Sequence, residues 1–506
     1  MTARKLFYTV LLSLFFVLFF YKQDVGLNNL LFSMLVLLML YFTGKLTTSN
    51  KVLLAIVAGT FLSSLMVVVN NSDLAVTINY LSLFLLAGVT VYNKFRNLVT
   101  IWFASFIQMF TAQFNLFRRV RGLSIKKPGV HRFFHYLKLI IIPVGIVFIF
   151  AMMYKVSNPF FEKYTLSVFD FIDKAFTRLS KLIDVDMFWF WVFGLLVSNF
   201  LILGREEKPV LFFEKNMHDD LQRKRENSSG PFSPLALLTE YKTGVILFAL
   251  LNLLLLMVNV LDILNVWFGF KWDGQLLKQF VHEGTYVLLL SVFVSVTITM
   301  WYFRGNLNFY KSNKWLKRLA MLWLAQNAVL TLSVGFRNFW YIHYYNLAYL
   351  RIGVIFFLIF TLIGIYLVYL KIQEKKTGWY VFTKSSLVFY IILVVMTFFN
   401  WDVIIARYNF SHYKTSFIHY SFLSGLSNKA LPWLDSPLME LEQIDAEQKS
   451  LEFDIKDWYQ KPEEFHNIIE NKKKHFLKSY PQKGFLSWNY ADAQAYRLLT
   501  TKAPKH

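Results

Sequence analysis

The 506 residues are 56% apolar, with a mean hydropathy of +0.43, a composition that soluble domains do not tolerate and that points to lipid as the solvent. The formal net charge of +22 would suit a nucleic-acid binder, but charge is nearly balanced over the last hundred residues. The excess therefore lies in short loops between apolar stretches, where an anionic cytoplasmic leaflet holds Lys and Arg, and nucleic acid is excluded as a partner. With no cysteine in the chain, disulfides, thiolate metal sites and cysteine nucleophiles are excluded together.

A bilayer core of roughly 30 Å needs about 20 apolar residues per helical span. The first such stretch, 6–21, follows Arg4-Lys5 as a signal peptide would, but Phe20-Tyr21-Lys22-Gln23 offers no small-residue cleavage site, so it reads as a retained span. Further spans are predicted at 26–43, 51–69, 73–92, 136–155, 186–204, 242–262, 283–303, 316–335, 348–370 and 385–403, about eleven in all. The stretch 98–117 is long enough to span, yet Gln108, Gln113 and Asn115 among its aromatics predict a helix lying in the interface or folding back into the protein; 161–182 is a similar case.

With the N-terminus cytoplasmic, the inner loops hold seven basic residues in 118–138, six in 205–225, five in 304–318 and four in 371–384. The outer loops hold none in 70–73, two in 263–282 and one in 336–347, as the positive-inside rule requires; 155–185, with five, departs from it. Beyond the last span the chain turns polar, with five prolines, and reads as a small helical domain whose amphipathic helices cover 463–480 and 489–499. The expected fold class is thus an all-α, polytopic membrane bundle. It divides into a four-span region with an interfacial helix and basic loop (1–135), a membrane core (136–405) and a C-terminal domain (406–506), which parity places in the periplasm.

The chain has no phosphate-binding glycine-rich loop, no His-Glu-x-x-His and no nucleophile elbow, so no catalytic residue, metal ligand or cofactor is assigned. His131 and His135 have ligand spacing but lie in a basic stretch that would repel a cation. One pattern is sharper. Polar residues at the ends of the later spans gather on the outer side, and Asp262, Glu283, Arg337, Tyr341, Arg351, Asp402, Arg407 and Asn409 form the candidate ligand-binding cluster. Charges so near hydrocarbon must face protein or water and find partners. Aromatics across 336–345 suit a sugar or lipid headgroup, and they equally suit an interfacial belt. Asn252, Asn259, Gln326 and Asn327 read as interhelical hydrogen bonds.

These residues also carry a resemblance. Gln326-Asn327, Arg337 to Tyr341 leading into Tyr345-Asn346-Leu347 and Leu350-Arg351, the run Asn400-Trp401-Asp402 to Arg407-Tyr408-Asn409, and Tyr420 to Leu431-Pro432 are similar to a bacterial group of polytopic membrane proteins known as domain of unknown function 4173, or the related 4153. The likeness is read from about residue 140 to the end. It implies membrane location and fold, and brings no activity. Where that group carries Gly-Leu-Thr before the arginine, this chain has Asn346-Leu347-Ala348.

The expectation is an inner-membrane protein, surrounded by lipid, that binds or transports an envelope ligand or meets a periplasmic protein partner through the outer cluster. The alternatives are a membrane glycosyl- or phospho-transferase acting on a lipid-linked substrate, and a membrane sensor or scaffold.

Overall fold

The computed structural model describes residues 2–46, 50–92, 95–122, a few positions between 143 and 154, and 184–204, 208–223, 234–268, 274–449 and 459–501. The expected span 136–155, the segment 161–182, and His131 and His135 lie outside the described residues, apart from those few positions. The described chain is helical, with a single isolated β-bridge between Asp220 and Lys376. It separates into two compact units: one holds 1–22, 35–45 and 106–205, the other 23–34, 46–105 and 206–506.

The longer apolar helices follow in chain order. They are α1 (Thr2–Phe20), α2 (Leu27–Phe42), α3 (Lys51–Asn70), α4 (Asp73–Val89), α5 (Leu98–Gly122) and α6 (Val185–Ile202), then, after the short α7 (Lys208–Asn216), α8 (Pro234–Asp262), α9 (Gly274–Tyr302), α10 (Lys314–Tyr345), α11 (Tyr349–Gln373) and α12 (Gly378–Met396). Among the described residues, six helices are long and apolar enough to cross a membrane: Lys51–Asn70, Val185–Ile202, Leu237–Phe268, Lys314–Tyr345, Tyr349–Gln373 and Gly378–Met396. Leu27–Phe42, Asp73–Val89 and Val287–Tyr302 are apolar but shorter. Such helices suggest a membrane protein, and the distribution of side chains agrees. Leu250, Leu253 and Phe293 point outward at 61–69% exposure, while Asn79, Asn252, Asn259 and Asn327 are buried. A water-soluble bundle would reverse that arrangement.

Within the smaller unit α1 packs on α6, where Gly194 leaves room for the Phe16 ring and Phe16 stacks on Phe190 with centroids 5.2 Å apart. Two of the polar residues that made 98–117 read as interfacial or folded back into the protein, Gln108 and Gln113, face α6. Gln108 donates to the Phe200 carbonyl at 2.8 Å, Gln113 donates to that of Leu196 at 3.1 Å, and Asn199 donates back to the Ala112 carbonyl at 2.9 Å.

In the larger unit, Asn79 of α4 ties α3 by donating to the Thr60 carbonyl and the Ser63 hydroxyl, and accepts from Asn29 of α2 at 2.9 Å. Gly59 faces the Tyr390 ring of α12 so closely that a Cβ would lie 2.1 Å from its hydroxyl. Between α8 and α10, Gln326 donates to Asn252 at 2.8 Å, and Asn252 and Asn259 donate to carbonyls of Leu319 and Gln326. These are the interhelical bonds expected of them.

The last of the candidate spans lies earlier than the expected 385–403. Thr377 caps it by accepting from the Tyr380 amide, it ends at Met396, and Asn400 then caps a separate helix, α13 (Trp401–Ser411). The helices that follow are α14 (Tyr420–Ser424), α15 (Leu431–Leu434), α16 (Leu438–Lys449), α17 (Pro462–Ser479) and α18 (Tyr490–Thr501). Phe465, Ile469 and Phe476 of α17 fill a core with Leu423, Leu431, Leu441, Ala495 and Leu499, and this core continues into Ile405 of α13 and Ile352 of α11. The polar C-terminal helices are therefore packed onto the ends of the apolar ones.

Candidate functional site

The candidate cluster resolves into three linked knots at the end of the larger unit where α10 meets α11. In the first, Arg337 donates to Asp262 at 2.5 Å with both side chains less than one-tenth exposed. The pair is framed by indoles. Trp267 stacks on Phe336 at 4.6 Å and donates to Ser333, and Trp340 donates to the Val266 carbonyl at 2.8 Å.

The second knot is the α10–α11 turn. Arg351 lies 4.3 Å from the centroid of the Tyr341 ring and donates to the Tyr345 carbonyl at 2.5 Å and to that of Asn346. Its cation thus sits on the final carbonyls of α10, at the negative end of that helix dipole, with an aromatic face beneath it. Asn346 adopts φ +67° and ψ −177°, backbone that favours glycine, and its amide donates to the Phe417 carbonyl at 3.0 Å. This is the position where the resembled group carries glycine. The Phe417 amide donates to the Tyr344 carbonyl at 2.8 Å, and Asn409 of α13 holds Leu347 from both sides, accepting from its amide at 2.9 Å and donating to its carbonyl at 3.1 Å. His419 borders the same turn. Burial and the Arg351 charge together hold its imidazole below the ordinary histidine range.

The third knot centres on Asp402, in the first turn of α13. It accepts from the hydroxyls of Tyr349 and Ser427. Close by, Lys429 donates to the Asn71 carbonyl between α3 and α4, and Lys472 of α17 donates to the carbonyls of Ser424 and Leu426 at 2.8 and 2.7 Å. Burial lowers both ammonium pKa values, and the Asp402 carboxylate opposes the shift at each. Further along, Trp488 accepts from the Leu27 amide at 2.9 Å, and a Cβ on Gly26 would lie 2.6 Å from backbone oxygens of Ser487 and Trp488. Arg407 lies over the Trp433 ring at 5.8 Å, apart from these knots. The side chain of Glu283 is outside the described residues. Arg337 and Asp262 thus pair with each other, whereas Arg351 and Asp402 take main-chain carbonyls and hydroxyls as partners.

A cavity of about 560 Å³ lies at the other end of α11, and sequence reasoning missed it. His218, Asp220, Glu240, Tyr302, Arg304 and Trp379 are among its lining residues. The wall is pinned by backbone bonds from Leu221 to the Lys375 carbonyl at 2.9 Å and from Thr377 to that of Asp219 at 2.8 Å. Arg96 secures the same segment through the Met217 carbonyl at 3.1 Å, and its own amide donates to Glu214 at 2.7 Å. No group of three or more His, Asp or Glu with metal-holding geometry occurs among the described residues.

The family described as Domain of unknown function (DUF4153) matches residues 6–436. The chain belongs to this family. Membership covers more of the N-terminal part than the resemblance did: the DUF4153 match includes α1 to α4 and all three knots up to Lys429, and it leaves α16 to α18 beyond its end. Both Lys472 and the 487–488 contact with Leu27 therefore come from residues past the shared family region. No curated protein and no solved structure matches the chain.

Proposed function

We propose that this chain is a multi-pass, non-enzymatic protein of a bacterial inner membrane that receives an envelope ligand or protein partner on its C-terminal helices and couples that contact to its spans. The N-terminus is cytoplasmic, about eleven spans cross the bilayer, and the C-terminal region faces the periplasm. The cluster of Asp262, Arg337, Tyr341, Arg351, Asp402 and Asn409 serves as the joint between the two parts. Arg407 and the outer end of α9, which carries Glu283, complete the same face.

The observation that carries this reading is the α10–α11 turn, where Arg351, Asn346 and Asn409 join the end of one apolar helix, the start of the next and the first C-terminal helix through main-chain hydrogen bonds. Of the carboxylates a transferase could use as base, Asp262 is engaged by Arg337 and Asp402 by Tyr349 and Ser427, while the Glu283 side chain lies outside the described residues.

The test is photocrosslinking in intact cells from residues placed at Met439 and Ile468, which are 71% and 37% exposed on the C-terminal helices. A discrete adduct that disappears in Asp402→Ala, while that variant still accumulates in the membrane, is the expected outcome. An adduct unaffected by Asp402→Ala and Arg351→Ala would contradict the coupling role, and the absence of any discrete adduct would contradict the receptor reading.

A further inference from the structure

The cavity at the far end of α11 carries an inference independent of the outer joint. Its volume, about 560 Å³, is that of a small-molecule site, and its walls mix apolar, aromatic and hydrogen-bonding groups. The segments that build this end, 216–223, 237–242, 302–318 and 371–384, hold eleven Lys and Arg against four Asp and Glu. An anion is the ligand such a field attracts.

Both carboxylates that line the cavity are already engaged. Asp220 accepts from Lys376 at 2.7 Å, and Glu240 lies 3.5 Å from Arg304. The Arg304 guanidinium is held 3.9 Å from the centroid of the Trp301 ring and donates to the Trp301 carbonyl at 2.8 Å, which fixes its position at the rim. Its pair with Glu240 is partly exposed on both sides, the kind of contact that solvent weakens and that a doubly bonded anion displaces. Beside it Tyr302, Leu237 and Trp379 offer an apolar wall where the helices end.

We propose that this cavity binds an amphipathic organic phosphate of net negative charge, one with no cationic group beside the phosphate, with Arg304 as the ligand of the phosphate group and Tyr302, Leu237 and Trp379 against the apolar portion. A guanidinium fork matches two phosphate oxygens at once, which a point-charge ammonium does not. Displacement from Arg304 leaves Glu240 facing the solvent side of the opening, so binding carries a cost that is removed when Glu240 is neutral.

The test is equilibrium binding to the full chain in zwitterionic nanodiscs, with three probes: dihexanoyl phosphatidylglycerol, glycerol 3-phosphate and dihexanoyl phosphatidylcholine. The anionic lipid should bind about tenfold tighter than the zwitterionic one, Arg304→Gln should weaken it about tenfold, and Glu240→Gln should tighten it about threefold. Glycerol 3-phosphate, which lacks an apolar portion, should bind at least about tenfold more weakly than the anionic lipid, and its equal binding would overturn the assignment of Tyr302, Leu237 and Trp379. Equal binding of the zwitterionic lipid would overturn the proposal. So would an equal loss in Lys311→Gln, whose exposed ammonium belongs to the same end but not to the cavity wall. If Arg304→Gln does not fold, Glu240→Gln decides: unchanged or weaker binding rules the site out.

Discussion

The two ends of α11 are built from similar residues and reach opposite results. At its start, Arg351 is buried, lies over Tyr341 and donates to the last carbonyls of α10, and the turn around it is closed by Asn346 and Asn409. At the other end, roughly 37 Å away at the rise of an α-helix, Arg304 is partly exposed over Trp301 and stands at the mouth of a cavity. The difference lies in what surrounds each cation. Arg351 donates to the carbonyls that end α10, so it becomes part of the fold. Arg304 meets one half-exposed carboxylate, so it keeps a capacity for exchange. An arginine beside an aromatic ring therefore says little about function until the acceptors around it are counted.

The contrast can be broken most forcefully at the closed end. Arg337→Leu leaves the Asp262 carboxylate buried without its counter-charge and should cost about 3–5 kcal/mol, read as unfolding in detergent, whereas the double change with Asp262→Leu should recover most of it. Next in size, Asn409→Ala removes both bonds to Leu347 and should cost about 1–3 kcal/mol, seen first as faster proteolysis of the C-terminal helices. A comparable loss, about 1–3 kcal/mol, is expected for Gly26→Ala, because its methyl would meet backbone oxygens of Ser487 and Trp488 that have no side-chain freedom to yield.

Acidification gives a smaller effect. With the His419 pKa lowered in the fold, the unfolded chain binds more protons as pH falls through its ordinary value of about 6.5, so stability present above that pH declines below it. His419→Asn should flatten this decline in thermal unfolding between pH 7.5 and 5.5, a window set by that reference value. The smallest change is Asn346→Gly, which relieves a left-handed backbone and forfeits the bond to Phe417; the two terms offset to within about 1 kcal/mol. A large loss there would mean that the side chain, not the turn, closes the joint.

Much of this was legible in the sequence, and the failures have physical causes. Apolar length alone marks α3, α6, α10 and α11, and the rule that charge near hydrocarbon needs a partner anticipates that Asp262 has one, though not that it is Arg337, nor that Arg351 and Asp402 turn to carbonyls and hydroxyls. Gln108 and Gln113 left two readings open because a polar side chain on an apolar helix reads alike whether it meets water or a neighbouring helix; here both bond to carbonyls of α6. Lys384 made the last membrane helix look seven residues later than it is, since an ionised group suggests a boundary, whereas the Thr377 cap sets the true start. The cavity left no pattern at all. Its wall depends on residues near 220 and 376 meeting through an isolated backbone bridge, and main-chain pairing at such separation has no side-chain signature.

Because the chain has no cysteine, single cysteines can report which side of the membrane each end of α11 faces. Glu463→Cys on the C-terminal helices and Lys311→Cys beside the cavity are both exposed positions. In intact spheroplasts a membrane-impermeant maleimide should label Glu463→Cys at once and Lys311→Cys only after lysis. Labelling of both from outside, or of Lys311→Cys alone, would contradict a bundle that carries its closed joint outward and its open cavity inward.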